Sequence, residues 1–301
     1  SAGNTSTNPG VPIVLDPPKY VYDPSNALVS RASVADVYMQ VLKDLNDAVA
    51  KLPTSQPDNR ADQYAAKAFL ARVYMQMGDY ANAATMANDV ISSGKYSLVS
   101  TYNQAFNNVS NSQEDIFAIQ QTAQSNAGTS NNGLTTFYSP TPQGRGDAQV
   151  NAGYKSFFEN GDFRKTYTQS GSSIGGFSGK YTMKWADFYK AIPVIRLAEM
   201  YLTRGEANLR KGGAPIGGVD PLDDINIIRL RSGATSLGSV SGDDFVDERM
   251  RELGFEGDRL WTLKRLQKDV SGLPYTDNKL VLPIPQREME VNSNLVQNPG
   301  Y

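Results

Sequence analysis

The side chains best placed to do chemistry in this chain are carboxylates. Glu252 and Glu256 stand four positions apart in DDFVDERMRELGFEGDRLWTLKRLQ, a helical segment that begins at Asp243. That spacing puts both carboxyls on one helix face, and a carboxylate pair is what a glycosidase uses as acid and base. Each glutamate also has an arginine three residues away, Arg249 before Glu252 and Arg259 after Glu256. Positive neighbours depress a carboxyl pKa, whereas a general acid needs it raised. On their own, Glu248, Arg249, Glu252, Glu256 and Arg259 read as a structural ion-pair network under a core face. The carboxylates of the middle region, Asp147, Glu159, Asp162 and Asp187, form no recognisable motif.

Composition narrows the chemistry further. The 301 residues include no His and no Cys. That removes thiol catalysis, disulfides, Ser–His triads and nearly all zinc sites. Any enzyme here would have to work with carboxylates, Lys, Tyr or a bound cofactor; no catalytic residue, metal ligand or cofactor is expected. A net charge of −2 argues against nucleic-acid binding through a basic face. A hydrophobic content of 40% is enough to bury a sizeable core. No run of apolar residues is long enough to span a membrane, and none of the given residues is expected to act as a signal peptide. The opening SAGNTSTNPG reads as a flexible start.

The elements that must position these groups are mostly helical. A first helix is expected from about Ser33 to Leu52, with Ser33 and Asp36 as its capping box. Its apolar stripe is Val34, Val37, Tyr38, Val41, Leu45, Ala48 and Val49. A helical pair follows at about Asp62–Met77 and Tyr80–Ser93. Leu70, Ala71, Tyr74, Gly78, Ala83 and Ala87 match the tetratricopeptide pattern in register, although Lys67 occupies its bulky Trp position. A second pair is expected at Ile195–Lys211 and about Pro221–Arg231. Gly205, in mid-helix, marks a close helix contact. The last helix starts at Asp243 with Asp243 or Asp244 as cap, and Gly254 and Gly257 break it around Phe255 and Glu256.

Between the pairs, residues 95–190 change character. Tyr96–Thr101 and Ile116–Gln121 read as short strands, and a short helix is expected around Tyr154–Phe158. Gln124–Gly146 and Gln169–Gly179 read as Gly/Ser-rich loops, and long loops inside a compact domain are often functional. The closing LVLPIPQREMEVNSNLVQNPGY is a Pro-punctuated extended tail. Leu282, Ile284, Leu295 and Tyr301 are expected to be its buried anchors. The fold class is thus mainly α, with tetratricopeptide-like helical hairpins, long loops and a few short strands.

Two stretches resemble the C-terminal signature of the SusD/RagB family, outer-membrane nutrient-binding lipoproteins of Bacteroidetes. The first carries Glu248, Arg249, Glu252, Leu253, Phe255, Glu256, Gly257 and Arg259. The second carries Leu282, Pro283, Ile284, Pro285 and Glu288, then Asn294, Gln297, Asn298, Pro299, Gly300 and Tyr301. Leu260 and Thr262 depart from the pattern. Arg196–Leu202 and Ile225–Gly233 extend the likeness. Gly10–Val14 resembles a stretch that follows a long helical portion in the family, which implies one SusD-like domain over 1–301 that lacks the family's N-terminal portion.

The resemblance implies a non-catalytic glycan-binding protein at the extracellular face of the cell outer membrane. It would deliver oligosaccharides to a SusC-type TonB-dependent transporter. Membrane association would run through an N-terminal lipid whose cysteine this chain does not contain. The alternatives are a carboxylate-based glycoside hydrolase and a tetratricopeptide-type scaffold for protein partners. A sugar needs flat aromatic surface with hydrogen-bonding side chains close by. The loops at 125–146 and 169–189 are expected to supply it, with Tyr138 and Trp185 as stacking platforms and Phe137 and Tyr181 as further candidates. Asn131, Asn132, Gln143, Arg145 and Asp147 stand nearby in sequence.

Overall fold

The computed structural model describes residues 5–16, 28–57, 59–127 and 133–301. In chain order the elements are β1 (Pro9–Pro12), β2 (Arg31–Ser33), α1 (Val34–Lys51), α2 (Gln63–Met77), α3 (Tyr80–Ser92), β3 (Asp115–Ile119), α4 (Leu134–Tyr138) and α5 (Ala152–Ser156). They continue with β4 (Thr168–Ser172), β5 (Ser178–Thr182), β6 (Ile192–Arg196), α6 (Leu197–Lys211), α7 (Pro221–Arg231), α8 (Gly242–Leu253), α9 (Asp258–Arg265) and α10 (Gln286–Val291). The mainly helical class expected from the sequence is the one observed. The strands form three separate antiparallel pairs, β1–β2, β3–β6 and β4–β5. The chain divides into two compact units, residues 48–259 and residues 1–47 with 260–301. None of the helices among the described residues is long and apolar enough to cross a membrane.

The larger unit is built on α2, α3 and α6. The Asp62 side chain accepts from the amides of Tyr64 and Ala65 at 2.9 and 3.0 Å and so caps α2. Gly78 closes that helix in the left-handed region, φ 77°, where its amide reaches back to Tyr74 and Met75. Asp79 then caps α3. Ala71, Ala83 and Ala87 are fully buried, and their small size lets the helix backbones approach. Lys67, at the position where a tetratricopeptide unit has a bulky residue, reaches Asp89 at 2.7 Å. From α6, Leu197 and Met200 join Ala65, Ala68, Val90, Ile116 and Ile195 in one core cluster. A second cluster unites Ala198 and Leu202 of α6 with Ile225 and Ile228 of α7 and Phe245 of α8.

Several boundaries differ from the sequence reading, each for a local reason. Tyr96–Thr101 forms no strand. The strand expected at Ile116–Gln121 is β3, and its partner is β6. Ile195 and Arg196, expected in the helix, instead pair with Phe117 and Asp115, so α6 begins at Leu197. The cap of α8 is Ser241, not Asp243 or Asp244. Its hydroxyl accepts from the Asp244 amide at 3.3 Å while the Asp244 carboxylate accepts from the Ser241 amide at 2.8 Å. The expected loop Gln169–Gly179 is mostly hairpin, with β4 and β5 paired from Thr168↔Thr182 to Ser172↔Ser178.

In the smaller unit the α1 stripe is half-buried, and no α1 residue is fully covered. The C-terminal tail is held mainly by polar groups. Ile284 and Leu295 are half-buried, but Leu282 is 83% and Tyr301 56% exposed, so the four-anchor expectation holds for two. The amide of Gln297 both accepts from the Ile284 N–H and donates to the Ile284 carbonyl, each at 2.8 Å. Asn298 donates to Leu282 O and the Tyr301 hydroxyl to Val281 O, both at 2.8 Å. Asn292 and Asn294 donate to the carbonyls of Val29 and Leu28, and Arg31 donates to Val296 O at 2.8 Å and Asn298 Oδ1 at 2.9 Å.

Gly205 provides a test of the α6–α7–α8 contact. A Cβ there would lie 2.6 Å from Phe245 Cζ and 2.9 Å from Asp224 Cβ. Alanine gains about 1 kcal/mol of helix propensity over glycine, but overpacking a closed core costs about 1–3 kcal/mol. Gly205→Ala is expected to lower the urea midpoint at unchanged slope. A raised midpoint would show that Phe245 can yield without cost.

Candidate functional site

The signature carboxylates lie at the centre of a buried charge network. Glu252 is fully buried and faces Arg164 at 3.1 Å, Arg196 at 3.0 Å and Arg231 at 2.5 Å. Arg196 also reaches Glu256 at 2.8 Å and pairs with Glu114. Glu248 meets Arg164 at 2.6 Å and Arg229 and Arg251 at 3.0 Å each. Lys184 holds Glu256 at 2.5 Å and donates to the Glu252 carbonyl at 2.9 Å. The cations lie over aromatic faces, Lys184 4.8 Å and Arg196 4.9 Å from the Phe106 centroid.

Electrostatics follow from this packing. Burial alone would raise the Glu252 pKa, but Arg231, Arg196, Arg164 and Lys184 outweigh it and hold the carboxyl below its ordinary value. Glu256 is lowered in the same way, with burial opposed by Arg196 and Lys184. For Lys184 burial wins, and its pKa falls to about 8. A depressed, fully paired carboxyl is a poor proton donor. The carboxylates of the middle region are also engaged. Asp147 pairs with Arg145, Glu159 with Arg229, and Asp162 with Arg164, while Asp187 accepts from the Tyr189 amide. Asp115 is pushed up to about 6 by burial, yet it sits at the start of β3 and accepts from the Ser112 amide. Among the described residues no acidic cluster could hold a metal ion.

The four aromatics selected from the sequence separate into two kinds. Tyr181 is fully buried; its hydroxyl donates to Phe177 O at 3.3 Å and accepts from Gln149 at 2.9 Å. Trp185 is 5% exposed, and its indole N–H donates to Phe255 O at 3.0 Å with the ring edge-on to Phe106. Neither presents a ring face to solvent, so both pin the loops from beneath and cannot serve as platforms in this arrangement. Phe137 and Tyr138 are half-buried. The Arg145 guanidinium lies 5.3 Å from the Phe137 centroid, and Tyr138 meets Phe255 edge-on. Asn131 and Asn132 lie outside the described residues. Gln143 bonds Ala186 O at 3.2 Å.

Phe177 is the aromatic that the sequence reading passed over. At the β4–β5 turn its side chain is 73% exposed, as is that of Ile174. Its backbone is held firmly. The carbonyl accepts from Ser173 N at 3.0 Å, Gln149 Nε2 at 3.1 Å and the Tyr181 hydroxyl, and its amide donates to Ser173 Oγ at 3.2 Å. The ring rests on Gly175, where a Cβ would come within 3.1 Å of it. An aromatic directly after Gly175–Gly176 in a Ser-rich stretch is the sequence signal for such a residue.

Two concavities among the described residues of this unit bear on the site. The one beside Trp185, lined also by Asn107, Gln121 and Asp187, holds about 10 Å³, room for one water. The other, of about 220 Å³, has Tyr154, Met250, Leu253 and Phe255 as its apolar wall, with Gln149, Asn151, Arg249 and Arg259 around it. Phe255 stands there in the left-handed region, φ 66°. That costs a bulky residue about 1–2 kcal/mol. The twist turns its carbonyl to Trp185 and its ring to Tyr138 and Tyr154, with centroids at 5.8 and 5.1 Å.

This helical frame and its buried signature are similar to those of the SusD/RagB family. The SusD family profile matches residues 180–271, and a profile described as starch-binding, associating with outer membrane, matches residues 5–75. The starch-binding protein SusD of Bacteroides thetaiotaomicron is 27% identical over 92% of this chain and 67% of its own length. The crystal structure of a SusD superfamily protein from the same species superposes with a TM-score of 0.78 at 26% identity, covering 98% of this chain and 72% of that one. A laminarin-binding SusD-like protein gives 0.76 at 25% identity, over 97% and 74%. The chain spans about two thirds of the length of one curated relative and about half of another, a SusD-like protein of Bacteroides ovatus.

The network makes a stability prediction. Glu252 binds fewer protons folded than unfolded, so its contribution is complete above the ordinary glutamate value of about 4.3 and is lost as pH falls below it. Glu252→Gln leaves three buried arginines short of charge and is expected to cost about 3–5 kcal/mol at neutral pH. It should also flatten the acid limb of the stability curve. Unchanged denaturant midpoints at pH 7 and pH 4 would show that the network contributes nothing.

Proposed function

We propose that this protein binds oligosaccharides without transforming them, at the extracellular face of the outer membrane, and passes them to a SusC-type TonB-dependent transporter. The observation that carries the reading is the likeness over 92% of the chain to a protein named for starch binding. The profile described as outer-membrane associated supports the location. The non-catalytic role is supported by the pairing of the acids. Glu252 and Glu256 are held below the ordinary range, and each middle-region carboxylate has its own partner.

The sugar site of this reading is the loop face around the β4–β5 turn. Phe177 supplies the open ring, with Tyr138 and Phe137 as half-buried flanking rings. Arg145, Asp147, Lys180 and Ser170 supply donors and acceptors around it. A sugar ring lays its C–H face on such a surface while its hydroxyls reach the polar rim. The held backbone of Phe177 lowers the ordering cost of binding.

Calorimetric titration with malto-oligosaccharides tests the assignment. Phe177→Ala is expected to weaken binding by about 1–3 kcal/mol, by analogy with base stacking on aromatics, without changing the melting temperature. Tyr138→Ala should act in the same direction. Trp185→Ala should instead destabilise the fold by about 3–5 kcal/mol, because it empties a buried site. Equal affinity in Phe177→Ala and the parent would remove the platform, and no heat with the parent would remove the substrate class. Release of reducing sugar, abolished by replacing one carboxylate, would overturn the non-catalytic reading.

A further inference from the structure

The 220 Å³ groove on the α8–α9 side of the larger unit contains a cation, Arg259, with no close carboxylate among the described residues. The neighbouring arginines of α8 are committed. Arg249 is paired with Asp258 and reaches Thr203 Oγ1 at 3.3 Å, and Arg251 is paired with Glu248 at 3.0 Å. Arg259 differs. A guanidinium carries five N–H donors, yet its one hydrogen bond is a long one, 3.5 Å to Val246 O, and its other contact is the Phe157 ring at 5.8 Å. Among the described residues no carboxylate lies within ion-pair distance of it. Asp247 and Asp258 act on Arg259 only from farther away, and Asp258 is already held by Arg249.

We infer that this groove is a second ligand site, for a single carboxylate-bearing sugar ring of the hexuronate type, with the carboxylate on Arg259. Three observations converge on that ligand. The volume suits one ring and not a chain of them. Tyr154, Met250, Leu253 and Phe255 offer the apolar surface that a pyranose C–H face covers, and the left-handed backbone of Phe255 holds its ring there. The planar guanidinium matches a carboxylate with two parallel hydrogen bonds, whereas a neutral hydroxyl leaves the half-buried charge uncompensated. Burial pushes the Arg259 pKa down, against the pull of Asp247 and Asp258, as expected of a cation short of a close partner. The site is separate from the loop face and does not depend on the starch-type reading.

The test is titration of the whole chain with sodium glucuronate and, as neutral control, methyl glucoside. Glucuronate is expected to bind and methyl glucoside not, with affinity falling as salt rises. Arg259→Gln should weaken glucuronate binding by at least about tenfold, and Arg259→Lys, which keeps the charge but loses the fork, by less. Phe177→Ala should leave it unchanged while impairing malto-oligosaccharide binding, so the two sites fail or stand separately. Absence of glucuronate binding at about 10 mM, equal binding of methyl glucoside, or full affinity in Arg259→Gln overturns the inference. If Arg259→Gln does not fold, Met250→Trp, which narrows the groove, serves instead, and undiminished glucuronate affinity in that variant is equally fatal.

Discussion

A charge placed out of water must be matched, and in this protein that requirement ties distant parts of one unit together. Arg196 faces three carboxylates, and Glu252 faces three arginines. The members come from the residue before β3, the turn before β4, the segment before β6, the end of β6, the end of α7, α8 and the turn after it. Leaving any one of them away strands its partners in a low-dielectric interior, which costs more than the pair returns. Arg164 and Lys184 are the cations that the loop-rich middle region contributes. They reach Glu248, Glu252 and Glu256 and tie that region to α8.

The same tethering decides which groups remain for binding. Trp185 and Tyr181 supply hydrogen bonds and packing beneath the loops. Phe177 has its backbone engaged and its ring free, and Arg259 has its charge only distantly answered. Both stand where neighbours have already been fixed by other contacts. A ligand meeting either of them would therefore face little further ordering cost.

The helical pairs were legible because backbone proximity demands small residues. Alanine at 71, 83 and 87 and glycine at 78 and 205 announce it in the sequence. That the signature charges form a network was legible too, but their partners were not. Spacing offers Arg249 to Glu252 and Arg259 to Glu256. In the fold Glu252 takes Arg164, Arg196 and Arg231, Glu256 takes Lys184 and Arg196, and Arg249 takes Asp258. Glu248 and Arg251, three apart on α8, do form a sequence-local pair. Helix neighbours lose to long-range partners when the helix face is buried, because the buried partners are the ones that replace water. The aromatics failed in the opposite direction. Trp185 beside a polar loop reads as exposed, and nothing local signals that its N–H will find the carbonyl of Phe255.

The Gln297 clip has a chemical consequence of its own. Pro283 and Pro285 lack an N–H, so Ile284 offers the single backbone donor of that three-residue stretch, and one side-chain amide answers both its donor and its acceptor. An amide can do this because it carries one group of each kind. Hydrolysis to the acid, the slow ageing reaction of glutamine, changes the side chain by almost nothing in shape. It removes the donor and sets a negative oxygen against the Ile284 carbonyl. The tail is thus locked by a group whose failure is isosteric, and its order over a long lifetime is limited by covalent decay as well as by folding equilibrium.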